Sequence, residues 1–150
     1  MTRARWVGIA VGLLVAIQLV PLSRSNPPIE SALAAPPDVQ AILDRSCMDC
    51  HSHATRWPWY AYVAPASWLV VYDVHHAREH LNFSRWGSYA PDRQRKKLEE
   101  MLEEAEGGSM PMTPYLWIHS EAKLSEQDLA TLLTFIEGRV RELEADAHRR

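Results

Sequence analysis

At 150 residues the chain has room for one domain and little more. An apolar fraction of 47% beside 23% charged residues excludes wholesale disorder, and two cysteines are too few for a disulfide framework. The formal net charge of -3 leaves no electrostatic basis for nucleic-acid binding; beyond Arg3 and Arg5 the chain is mildly acidic, which suits a soluble partner with a basic patch.

Residues 6–22 carry no charge, and Gln18 is their only strongly polar side chain. As a helix this run measures roughly 26 Å, just enough to cross hydrocarbon. With Arg3 and Arg5 in front, residues 1–22 read as an N-terminal transmembrane helix that begins in the cytoplasm. Everything after it is then expected at the outer, periplasmic face of the cytoplasmic membrane. A cleavable signal is the competing reading, but its small-residue site, Ala32-Leu33-Ala34, lies far beyond the apolar run. Residues 23–37, rich in Pro, Ser and Ala, read as a semi-extended tether, and residues 38–150 as the functional domain.

Four helical stretches follow and no strand pattern does. The first starts near Pro37 and Asp38 and places Val39, Ile42, Leu43 and the Ser46-Cys47 pair on one face. The second follows Pro65 and runs from Trp68 towards Leu81. The third follows Pro91, carries Leu98, Met101, Leu102 and Ala105 as a stripe, and ends at Gly107-Gly108. The fourth has Ser125 as N-cap, Asp128 three residues on and a Leu124–Leu129 staple, with Leu132, Leu133, Ile136 and Val140 along its face. The expected fold is all-α, a bundle of about four helices.

The first helix ends in Cys47-Met48-Asp49-Cys50-His51, the C-x-x-C-H attachment pattern for c-type haem. Two thiols three positions apart reach the two vinyl groups of one porphyrin, and the next residue then presents an imidazole to the iron. Cys47 and Cys50 are therefore the expected thioethers of one haem c, with His51 as metal ligand. A thiol–disulfide pair, a zinc site using His53, and a plain disulfide remain alternatives. Among candidates for a sixth ligand, Met110 stands out: it follows Gly107-Gly108-Ser109, precedes Pro111, and sits in a loop before the last helix. Met112, His53, His75, His76, His80 and His119 are the others. His76 and His80 share a helix face, and His119 reads as a hydrogen-bonding or core histidine. Trp57, Trp59 and Tyr60 are expected to wall the haem or donate to its propionates, and Pro58 or Pro65 to offer a carbonyl to the His51 ring.

The runs CMDCHSHATRWPWYAYVAPASWLVVYDV, REHLNFSRW and GGSMPMTPYLWIHSEAKLS, covering about residues 38–136 with their neighbours, resemble the haem-binding domain family of small bacterial cytochrome-c-like proteins. The Asn-Pro-Pro before the domain is also similar to its members. The resemblance implies covalent haem at Cys47 and Cys50, His51 as proximal ligand and Met110-Pro111 as the distal loop. It implies no reaction. The chain departs from the family pattern at His75-His76-Ala77, which keeps a helix-borne histidine ligand in contention.

The expected function is a mono-haem c-type cytochrome that transfers electrons at the outer face of the cytoplasmic membrane, not an enzyme, with other redox proteins or membrane respiratory components as partners. A haem sensor with a displaceable sixth ligand is the second reading. A peroxidase-type enzyme, drawing on His53 or His80, is the third.

Overall fold

In a computed structural model, residues 2–149 form seven α-helices joined by short 3-10 turns, with no strand among these described residues. The four expected long elements are present. Helix α2 spans Pro37–Ser46, α4 Ala66–His80, α5 Pro91–Glu106 and α7 Glu126–His148. Proline occupies the first turn of α2 and α5, where its missing N–H costs nothing. Ser125 and Asp128 form the reciprocal cap of α7: the Ser125 hydroxyl accepts from Asp128 N–H, and the Asp128 carboxylate accepts from Ser125 N–H. Helix α5 ends where Gly108 adopts φ +70°, a left-handed turn that a side chain resists.

Three further helices complete the set: α1 over Arg3–Ala16 and the single turns α3, over Met48–His51, and α6, over Thr113–Leu116. Helix α5 packs along α7, and α2 crosses both α7 and α3. Val39, Ile42, Leu43, Phe83, Trp86, Leu98, Leu132 and Ile136 interlock as the core, and Cys47 and Met48 pack against it. Arg45 of α2 reaches Asp128 at the start of α7 in a 2.8 Å ion pair.

The N-terminal expectation is corrected. Helix α1 has 14 residues, about 21 Å, well short of the ~30 Å hydrocarbon core. Among the described residues no helix is long and apolar enough to cross a membrane, so neither the transmembrane helix nor a single-pass placement in the cytoplasmic membrane is supported. The physical reason lies at Gln18. Its side-chain amide donates to the Ala64 carbonyl at 3.2 Å and accepts from the Ala64 N–H at 2.9 Å. That draws the chain onto the domain after one 3-10 turn, Ile17–Leu19, and the backbone is extended from Val20 onward.

Residues 18–35 then run as a strap across the domain rather than away from it. Arg24 donates to the Ala61 carbonyl, Asn26 to the Thr55 carbonyl, and Glu30 and Ser31 N–H to the Ser84 carbonyl. Leu33 is buried in the main core. At Gly87 the strap passes so near that an added Cβ would lie 2.9 Å from Ser31 Cβ.

Candidate functional site

Helix α3 is a single turn that begins as α2 ends: Cys47 breaks α2 with φ -129°, and its carbonyl then accepts from Cys50 and His51 N–H. The turn therefore holds Cys47, Cys50 and His51 together, packed between α2 and α4. Both thiols are free and half-buried. Burial pushes the Cys47 thiol up to about 12, with Cys50 adding to the effect, and pushes Cys50 up to about 11, with Asp49 adding. A dithiol redox site needs the opposite, a thiol pKa lowered towards neutral. Among the described residues no group of three or more His, Cys, Asp or Glu side chains is arranged to hold a metal.

His51 is oriented from behind. Its Nδ1–H donates to the Leu81 carbonyl at 3.1 Å, so Nε2 is left as the acceptor on the opposite edge of the ring. Burial lowers the imidazole pKa, which keeps the ring neutral and able to bind metal. The Phe83 ring meets it edge-on at 6.3 Å. The expected acceptors, the Pro58 and Pro65 carbonyls, are not the ones used. Leu81, just past the last turn of α4, takes that place.

The remaining histidines separate by their partners. Asn82 Oδ1 accepts from Ser84 N–H, so Asn82 Nδ2 faces His53 and donates to its Nε2 at 2.8 Å. His53 Nδ1–H in turn donates to the Pro28 carbonyl. Both nitrogens of His53 are thus engaged, and the ring is a fastener for the Asn-Pro-Pro segment. His75 Nε2 holds the Ser23 carbonyl of the strap. His80 closes α4 next to Leu81, and His76 meets it edge-on at 4.5 Å, both rings on the exposed side of the helix. His119 lies flat on Tyr115 at 4.3 Å and accepts from Tyr60 Oη at 2.6 Å.

Met110 is not core filling, since 38% of its surface is exposed. Its backbone N–H donates to Glu104, which ties the loop to the end of α5. The next element, α6, is drawn to the attachment turn by Tyr115 Oη, 3.4 Å from Asp49 Oδ2. Met112 caps α6 and its N–H is not part of that tie.

Whether these residues fit a haem is decided by where apolar surface is left uncovered. Outside the strap and α1, the large exposed apolar side chains of the described residues fall in three stretches: Trp59, Tyr62 and Val63; Trp68, Leu69 and Tyr72; Met110, Trp117 and Ile118. Helices α2, α5 and α7 contribute none. The first stretch packs on α4, α4 packs on α3, and the third is tied to α3 through Tyr115. An apolar plate beside C-x-x-C-H would cover this kind of surface. Trp57 adds a buried indole Nε1–H with no partner, a donor suited to an acidic group of a ligand; Trp86 Nε1 shares that condition within the core. Trp59 is 77% exposed and meets Tyr60 edge-on. By contrast, a groove of about 610 Å³ between α5 and α7 is rimmed by Glu99, Glu103, Glu106 and Glu137 and shares no residue with the site. The residues at α3 fit the group; that groove does not.

Two features of the site carried no signal in the sequence. Arg56 donates to both carboxylate oxygens of Asp49, between the two cysteines. Arg78 donates to four oxygens around Ser52 and the strap. Isolated arginines without spacing to a partner are indistinguishable from solvated ones.

No curated protein and no solved structure matches the chain. The family model of the haem-binding domain does, over residues 12–138, which takes in the strap, the attachment turn and most of α7. The chain belongs to the haem-binding domain family and is a haem-binding protein.

Proposed function

We propose that the chain holds one haem covalently through Cys47 and Cys50, with His51 and Met110 as axial ligands, and carries single electrons between other redox proteins. A bound haem supplies one-electron chemistry at its iron. The observation that carries the reading is the Nδ1–H of His51 on the Leu81 carbonyl, which presents Nε2 beside two unpaired thiols. Neither thiol is tied up in a disulfide, so both are free to form the two thioether bonds that the reading requires.

The residues also argue for a carrier over a catalyst. A peroxidase needs a distal acid–base group. His53 has both nitrogens committed, and His80 is an exposed ring set against His76. Met110, exposed and followed by Pro111, has the thioether that a carrier uses to close its sixth position and raise its potential.

Absorption spectra of the ferric and ferrous protein, with and without carbon monoxide, test this. The wild type shows a methionine-to-iron charge-transfer band and resists carbon monoxide. Met110→Ala loses the band and binds carbon monoxide readily. Persistence of the band in Met110→Ala overturns the ligand assignment, and ready carbon monoxide binding by the wild type favours the sensor reading.

A further inference from the structure

Arg78 sits on the last turn of α4 with its guanidinium partly buried. Nε–H donates to the Ser52 carbonyl at 2.7 Å. One terminal nitrogen donates to the Ser25 carbonyl at 2.9 Å; the other reaches Asn26 Oδ1 at 2.9 Å and Thr55 Oγ1 at 2.8 Å. Four oxygens from two separate stretches, 25–26 and 52–55, converge on one planar fork, a geometry lysine cannot reproduce. Ser52 follows His51 directly, and Leu81, three positions after Arg78, accepts the His51 Nδ1–H. The end of α4 therefore grips the 51–52 segment twice, once at the ring and once at the backbone beside it.

One contact alone leaves a rotation free. The Leu81 bond fixes which edge of the imidazole faces forward, but the ring can still turn about its Nδ1–Nε2 direction as the backbone at Ser52 shifts. The second grip removes that freedom. The Ser52 hydroxyl donates to the Met48 carbonyl at 2.7 Å, which fixes its side chain, while the carbonyl side of Ser52 is held by Arg78.

We propose that Arg78 is a positioning residue for the proximal ligand: by joining Ser52 to the strap at Ser25 and Asn26, it sets the rotation of the His51 imidazole about the axis to iron. This rests on the covalent haem reading above. It also gives the strap a role in the site, because half of the Arg78 contacts are to strap atoms.

The test uses the full chain loaded with haem, as wild type, Arg78→Lys, Arg78→Gln and Arg85→Gln. Arg85 pairs with Glu30 of the strap and touches neither His51 nor Ser52, so it reports loosening of the strap alone. Covalent haem is scored first, by the mass of the denatured protein. Ferric EPR g values and the order and spread of the haem-methyl proton resonances, both sensitive to the imidazole plane, are then compared. Arg78→Lys and Arg78→Gln should shift the g values and reorder the methyl resonances, while Arg85→Gln lowers thermal stability and leaves both signatures as in the wild type. If the Arg78 variants lose stability but keep wild-type g values and methyl order, Arg78 is merely structural and the proposal fails. Should Arg78→Gln not fold, Arg78→Lys decides the matter, since it keeps the charge and loses the fork. A wild type without covalent haem overturns the underlying reading and this proposal with it.

Discussion

At His51, burial and one backbone carbonyl act in concert: burial keeps the imidazole neutral, and Leu81 decides which nitrogen carries the proton. Partners of this kind are invisible to spacing rules, which explains why seven histidines in the sequence yielded so many ligand candidates. The motif singles out Cys47, Cys50 and His51 in the sequence, because its spacing is local to five residues. Setting His53 aside requires knowing what lies against each of its ring nitrogens. Asp128 shows a second residue-scale effect. Burial acts to raise its carboxyl, but the Ser125 backbone N–H and hydroxyl and the Arg45 guanidinium outweigh it and hold the group below the usual carboxylate range. A folded-state value below the ordinary ~3.9 contributes stability that is complete above about pH 4 and lost as pH falls through the lowered value. Asp128→Asn should therefore melt below the wild type at pH 7, with the gap in Tm closing under about pH 4. A gap that persists unchanged to pH 2 contradicts the assigned cause.

Among the elements, the long helices were legible and the short ones were not. Helices α2, α4, α5 and α7 carry an apolar stripe, an N-terminal proline, a capping box or a glycine stop, signals that act within one turn of chain. Helix α3 and the 3-10 turns are held by contacts to distant segments. The strap illustrates the limit most clearly. Its composition reads as a tether because its bonds run to Ala61, Ala64, Ser84 and Arg78, all far away in sequence. Leu33 seals one end of it in the main core at 4% exposure. Leu33→Ala should destabilise the protein by about 2–5 kcal/mol in a denaturant titration, the range for a buried leucine, whereas a detached tether predicts a change near zero. Gly87→Ala should act in the same direction, since the new methyl must push Ser31 aside.

For the whole molecule, the division of surface is the informative quantity. Helices α2, α5 and α7 expose no large apolar side chain. The segments 59–72 and 110–117, by contrast, leave Trp59, Tyr62, Trp68, Leu69, Tyr72, Met110 and Trp117 uncovered. A chain of this size rarely leaves so much aromatic surface open without something to cover it. The same reasoning from apolar exposure misled at the N-terminus. The uncharged run of residues 6–22 has the composition of a membrane span, yet Gln18 ends its helical course on Ala64 and α1 stops at 14 residues. Hydropathy sums over a window and does not register a single side chain that finds a partner 46 residues away.

The central claim is that Cys47 and Cys50 hold the haem covalently. The most direct measurement is the intact mass of the denatured protein after expression with thioether-forming haem maturation factors, for the wild type and for a Cys47→Ser, Cys50→Ser double variant. The wild type should exceed its polypeptide mass by one haem and keep its colour through acid-acetone extraction, and the double variant should show the bare polypeptide mass. A wild type at the bare polypeptide mass, with all its haem released into the solvent, would contradict the account.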